Sequence, residues 1–316
     1  MHRIEQLRGK QAPATVPDGT DTSHFGSQFV GDFVPPLTLT ESTYPNTMSC
    51  VLKPSEDESH SKLYDQILQW LGPLPSTIDI DKIELVHNPE SYRIFLHQLN
   101  RTERKQTQET FQPHLDSESN PIERKKVLEY LHTKLQQVNH NRTAHVVRVW
   151  HGCKREIISP LISDGFAALG QLDNGWFGKA IYFTSSAEYA VRYTNSTGCL
   201  IMCYVVLLNP FPVISDDAPI NASSKDFRFY GSGNYSNYQC HYIPVAPAYP
   251  GAIKNFRPPP NGTEDACFDE FAIFQQSDIL PQVIVHLKPG TSSTSATSPP
   301  AETSDNTPLR VFLSKE

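Results

Sequence analysis

No run of about 18 apolar residues occurs in this chain, so nothing in it reads as a membrane span. Apolar side chains are scarce for an all-globular protein: they make up 38% of 316 residues, and the mean hydropathy is −0.42. With 26 prolines besides, part of the chain is expected to lack a packed core. Positive charge is also short, with 27 Lys and Arg against 34 Asp and Glu, a net charge of −7. A general nucleic-acid binder displaces counterions with a basic face, so nucleic-acid binding is not indicated. Met1-His-Arg-Ile-Glu-Gln6 lacks the apolar core of a signal peptide. The scattered Cys50, Cys153, Cys199, Cys203, Cys240 and Cys267 therefore read as reduced thiols of an intracellular protein, cytoplasmic or nuclear. Metal spacing is missing too. His145, His151 and His241 stand apart, and Cys199 and Cys203 in one strand would lie about 13 Å from each other, so no metal is expected. Gly231-Ser-Gly233 lacks the strand-to-helix context of a Rossmann phosphate site.

Residues 1–55, rich in Pro, Thr, Ser and Asp, show no sustained period and read as a disordered leader. Residues 56–71 support an amphipathic helix stopped by Gly72-Pro73. Lys82 to His87 is strand-like, and Asn88-Pro-Glu-Ser opens a helix through Leu99. Val127, Leu128, Leu131, Leu135 and Val138 share one face of a third helix. From about His145 the texture changes to short strands with long loops. Strands are expected at 145–150, 181–184, 199–208, 271–274 and 283–287, with helices at 155–163 and 186–193. Residues 288–316 read as a Ser/Thr/Pro tail. The fold class is therefore α+β, one domain over residues 56–287 with loose ends.

Three segments carry the chemistry. Val147-Arg-Val-Trp-His-Gly-Cys153, Phe177-Gly-Lys-Ala-Ile-Tyr-Phe-Thr184 and Phe268-Asp-Glu-Phe-Ala-Ile-Phe274 each set a polar residue against an apolar run. His151, Tyr182 and Glu270 would thus stand at the ends of buried strands. Burying a polar group costs free energy unless it is paired or used, so three together ask for a ligand.

In order, flanks and spacing these segments resemble the His-Tyr-Glu signature of the poly(ADP-ribose) polymerase superfamily, NAD-consuming ADP-ribosyltransferases, over about Lys82 to Leu287. The resemblance implies the ADP-ribosyltransferase fold, a split core of two mixed or antiparallel sheets with flanking helices. It implies transfer of ADP-ribose, singly or as polymer, from NAD to protein acceptors, with NAD consumed and nicotinamide released. It implies that His151 bonds a ribose hydroxyl and that Gly152 closes its backbone on the carboxamide. Tyr182 would be the triad tyrosine, Ser186 a third bond to the carboxamide, and Tyr189 the ring stacked on nicotinamide. Glu270 would bond the 2′-hydroxyl of the nicotinamide ribose, which leaves polymer formation open, and Ala167 to Trp176 would cover the donor. Two rival functions are a silent NAD or ADP-ribose binding module and an NAD-dependent RNA 2′-phosphotransferase. The latter would draw its arginines from Arg148, Arg155, Arg192 and Arg228.

Overall fold

Cys199-Leu-Ile-Met-Cys-Tyr-Val-Val-Leu207 carries no charge, and all nine residues are buried as strand β5. A strand apolar on both faces belongs between two neighbours and two layers. In the computed structural model, which describes residues 48–56, 58–134, 143–166, 174–195, 197–253 and 255–290, β5 occupies that position. It pairs antiparallel with β3 (His145–Cys153) on one side and β10 (Ile279–Pro289) on the other. β10 pairs with β2 (Ile78–His87), and β2 with β1 (Met48–Val51), closing a sheet of order β1-β2-β10-β5-β3. A second sheet runs β4 (Ile181–Phe183), β9 (Phe268–Ile273), β7 (Cys240–Pro247), β6 (Pro210–Pro212), with β8 (Phe256–Arg257) beside β7. Among the described strands only the β6–β7 pairing is parallel. The class is α+β with two sheets, as the sequence indicates.

Helices α1 (Glu58–Leu71) and α2 (Pro89–Lys105) cover the outer face of the first sheet. Leu63, Ile67, Phe95 and Leu99 pack there on Leu85, Trp150, Met202 and Val283. Asn88 starts α2 by accepting the Ser91 N–H at 2.9 Å, with Pro89 at the first helical position, where a missing N–H costs nothing. Between the sheets Val149, Ile201 and Cys203 meet Phe183, Tyr242 and Phe271, closed at the sides by α3 (Pro121–Lys134) and α4 (Ile158–Asp164). A third, aromatic cluster lies on the far face of the second sheet and includes Trp176, Phe177, Tyr189, Phe211 and Phe227. The short helix α5 (Ala187–Val191) touches both outer clusters.

Two boundaries are corrected. The tail drawn from residue 288 includes the end of β10, whose Lys288 and Pro289 pair with Asp79 and Ile78. The leader drawn to residue 55 includes β1, whose Met48, Ser49, Cys50 and Val51 pair with His87, Val86, Leu85 and Glu84. Four residues are too few to show a period in the sequence, and only the open edge of β2 makes them a strand. Residues 1–47, the tail beyond Gly290, most of the expected donor-covering loop, and Leu135 and Val138 lie outside the described residues.

Candidate active site

β3 is the edge strand next to β5 in the first sheet, and it delivers His151 and Gly152 opposite Ile201 and Leu200. At that point the two sheets meet. Trp150 N–H donates to the Thr184 carbonyl at 2.7 Å, and Thr184 N–H returns to Trp150 at 3.0 Å. This bridge joins the strand of His151 to the end of the strand of Tyr182. His151 is buried against Phe166 and Phe183, and its Nδ1 lies 2.9 Å from the Tyr182 carbonyl oxygen. A carbonyl only accepts, so Nδ1 carries the proton. Burial lowers the imidazole pKa to about 4, so the ring is neutral at physiological pH and Nε2 presents a lone pair.

The Tyr182 hydroxyl is committed to its own loop. It donates to the Gly178 carbonyl and accepts from Phe177 N–H, both at 2.9 Å. That turn needs Gly175, at φ +59°, because a Cβ there would overlap the Gly178 carbonyl and come 2.7 Å from the tyrosine oxygen. The loop is gripped from outside as well. Lys179 N–H reaches the Ser232 carbonyl at 2.7 Å. His241 donates from Nδ1 to the Phe177 carbonyl at 2.7 Å while Nε2 accepts from Tyr235 N–H at 3.1 Å. Burial holds the pKa of His241 near 4, and both bonds need the neutral ring.

Ser186 precedes α5 as its cap, its hydroxyl accepting Tyr189 N–H at 3.2 Å. Tyr189 is fully buried, stacked on Phe268 at 4.9 Å and edge-on to Phe256 at 4.9 Å. Its hydroxyl donates to Glu270 Oε1 at 2.5 Å and lies 2.9 Å from the Tyr193 hydroxyl. Glu270, completely buried, is the third residue of β9 and pairs with Ile243. Gly152 faces the same helix, since a Cβ there would overlap the Ala190 carbonyl. The structure therefore joins His151 to Tyr182 by a hydrogen bond and Tyr189 to Glu270 by another. Helix α5 sits between Gly152 and Glu270.

Two residues missing from the sequence reading complete this frame. Tyr193, half-buried, follows Tyr189 by one helical turn, a spacing legible in sequence. Asp269, buried beside Glu270, accepts from Ser185 N–H and Ser185 Oγ, each at 2.7 Å, and from Thr184 Oγ1 at 3.2 Å. It fixes the turn between β4 and α5, and burial raises its carboxyl pKa against the pull of those donors. No local sequence signal separates this carboxylate from a solvated one. Two surface clefts, of about 480 and 420 Å³, lie elsewhere and are lined by neither His151, Tyr182 nor Glu270.

A family model described as the poly(ADP-ribose) polymerase catalytic domain matches residues 81–288. The chain belongs to the poly(ADP-ribose) polymerase family. No curated protein matches it. Poly(ADP-ribose) polymerase catalytic domains are NAD-dependent ADP-ribosyltransferases, and NAD is their substrate. Among the described residues of this polymerase-family domain no group of three or more His, Cys, Asp or Glu is arranged to hold a metal ion. No helix there is long and apolar enough to cross a membrane.

Proposed function

We propose that the chain transfers ADP-ribose from NAD to protein acceptors and releases nicotinamide. The observation that carries this reading is the hydroxyl-held carboxylate of Glu270, locked by Tyr189, in one frame with a neutral His151. The donor set fits NAD by its chemistry. His151 Nε2 accepts a ribose hydroxyl, and Glu270 accepts another and faces positive charge as it develops at the ribose. The Gly152 backbone takes the nicotinamide carboxamide. Ser186 keeps its own O–H to donate there, because in its cap it acts as acceptor. Tyr189, enclosed by Phe256 and Phe268, positions Glu270. The half-buried Tyr193 and Tyr182 offer the aromatic surface.

Three of the four arginines considered for a 2′-phosphate site are engaged elsewhere, which disfavours that reading. Arg148 lies 3.8 Å over Trp70, Arg155 pairs with Asp81 at 3.3 Å, and Arg228 pairs with Asp217 and Glu118 at 3.0 Å.

A benzamide carries the amide and ring of nicotinamide without the ribose, so thermal melting with it tests the slot. A ligand at about 100 times its dissociation constant that binds only the folded chain adds roughly 2.7 kcal/mol. Tyr193→Ala is expected to lose most of that shift, and Glu270→Gln to keep it. A wild-type chain that gives no shift refutes the slot.

A further inference from the structure

Cysteine is a residue type that the proposed reaction leaves unused. Five cysteines with described side chains carry no disulfide, and four of them, Cys153, Cys199, Cys203 and Cys240, are buried. Two of the four stand face to face. Cys153 on β3 lies directly opposite Cys199 on β5, Cys199 opposite His286 on β10, and His286 opposite Lys82 on β2. Cys199 Sγ is 3.4 Å from His286 Nδ1, and His286 Nε2 is 3.1 Å from Glu84 Oε1, which Lys82 also holds. A carboxylate beside Nε2 keeps the proton on that nitrogen, so Nδ1 turns a lone pair to the thiol. A thiol, a base and a carboxylate that orients the base are the parts of an activated sulfur nucleophile.

The backbone sets the separation of the two cysteines. Trp150 turns its N–H and carbonyl to Thr184, so alternation along β3 turns those of Cys153 toward β5, at a hydrogen-bonded position. Opposed residues there have Cα atoms about 5.5 Å apart, inside the range that a disulfide spans. Their Cβ atoms stand about 5 Å apart, whereas a disulfide holds them at about 3.8 Å. The bond therefore forms only by drawing the two strand ends together by roughly 1 Å, which leaves it strained and easily reduced. Access comes from the neighbouring cleft of about 420 Å³. Lys154, Gly198 and Leu287, the chain neighbours of Cys153, Cys199 and His286, all line it. Its rim is tied by the exposed Arg155, which reaches the Leu287 carbonyl at 2.9 Å and Asp81 at 3.3 Å. Such surface contacts open readily.

We propose that Cys199 and Cys153 form a peroxide-reactive pair that closes into a reversible disulfide beside the active site. His286 takes the Cys199 proton, and the thiolate attacks one oxygen of hydrogen peroxide. An S–O bond forms as the O–O bond breaks, and the leaving hydroxide takes the proton from His286 and departs as water. Cys199 is then a sulfenic acid. The Cys153 sulfur attacks it, an S–S bond replaces the S–O bond, and the hydroxyl leaves with the Cys153 proton as a second water. Two electrons pass from the thiols to the peroxide. A small dithiol reverses the step and is itself oxidised to a disulfide. At rest, burial keeps Cys199 protonated, its pKa raised to about 11, so the pair answers to sustained peroxide and not to traces of it. Cys153 follows Gly152, which lies against the Ala190 carbonyl. Drawing Cys153 toward β5 takes the end of β3 off α5, and transfer falls. That last link rests on the transferase reading above, and the disulfide itself does not.

The test exposes the full chain to hydrogen peroxide, unfolds it, alkylates the remaining thiols, and digests it without reductant for mass spectrometry. A peptide pair joining Cys153 to Cys199 is expected, and dithiothreitol should release it. Its formation should slow about 10²-fold in His286→Gln, the low end for loss of a positioned base. Cys203→Ala, on the same strand, should form it at the wild-type rate. Release of nicotinamide from NAD should fall severalfold in the oxidised wild type and return with dithiothreitol, whereas Cys199→Ala should keep its own rate through the same treatment. Alkylation of both Cys153 and Cys199 after peroxide, or a link from either to Cys267 in place of the pair, overturns the proposal. So does an unchanged rate of closure in His286→Gln, or an equal loss of turnover in Cys199→Ala. If the wild type releases no nicotinamide before oxidation, the transferase reading falls, and the linked peptide alone then decides whether the pair exists.

Discussion

The proton on His151 is settled by its neighbour, because the Tyr182 carbonyl at 2.9 Å can only accept. This leaves Nε2 as an acceptor over the whole neutral range, with the pKa lowered to about 4 by burial. The same shift has a consequence for stability. The folded pKa lies below the unfolded value of about 6.5, so the unfolded chain takes up the proton first as pH falls. The contribution of neutral His151 is thus fully present above about 6.5 and lost as pH falls toward 4. His241 acts with the same sign over the same window. Glu84, lowered to about 2 first by its bond to His286 and also by Lys82, adds a loss of stability below about 4.5. Denaturant melts between pH 7 and 5 should therefore show falling stability on acidification. In His151→Asn the slope should lessen by up to about 1.4 kcal/mol per pH unit, the weight of one proton. A variant with the wild-type slope shows that His151 is not buried as neutral imidazole.

At the scale of elements, the site depends on how closely α5 lies on β3. Gly152 has no Cβ, and one placed there would overlap the Ala190 carbonyl of the helix. Either β3 or α5 must then move, and α5 carries Tyr189, the partner of Glu270. Gly152→Ala is therefore expected to lower stability by about 1–3 kcal/mol, the usual cost of overpacking. Transfer should fall by more than that loss explains. A variant with wild-type melting and wild-type transfer means that the contact is loose and that the helix does not register the two strands. The neighbouring turn is held differently, by three hydrogen bonds to Asp269. The two anchors act on opposite ends of the same five-residue helix, which by itself is too short to be stable.

Across the whole molecule, the parts legible in sequence are those whose signal is local. β5 and β3 announce themselves as apolar runs, and Asn88-Pro89 marks the start of α2. His151, Tyr182 and Glu270 could be named because each interrupts such a run. β7 was not legible, although it lies inside the second sheet between β9 and β6. Its Cys-His-Tyr-Ile-Pro-Val-Ala-Pro carries two prolines, which usually argue against a central strand, and only pairing with Glu270's strand reveals it. Asp269 was equally silent, since its value lies in the Ser185 and Thr184 groups that the fold brings to it. The role of Tyr189 in holding Glu270 likewise appears only when α5 is laid against β9. These long-range contacts make the central claim testable at one group, the carboxyl of Glu270. Wild type and Glu270→Gln, each shown to be folded, should be incubated with labelled NAD and the attached ADP-ribose measured by mass spectrometry. Wild type is expected to carry ADP-ribose, and the glutamine variant to transfer about 10²-fold more slowly, the loss typical of one electrostatic stabiliser. Equal transfer by the two proteins, or none by the wild type, contradicts the account.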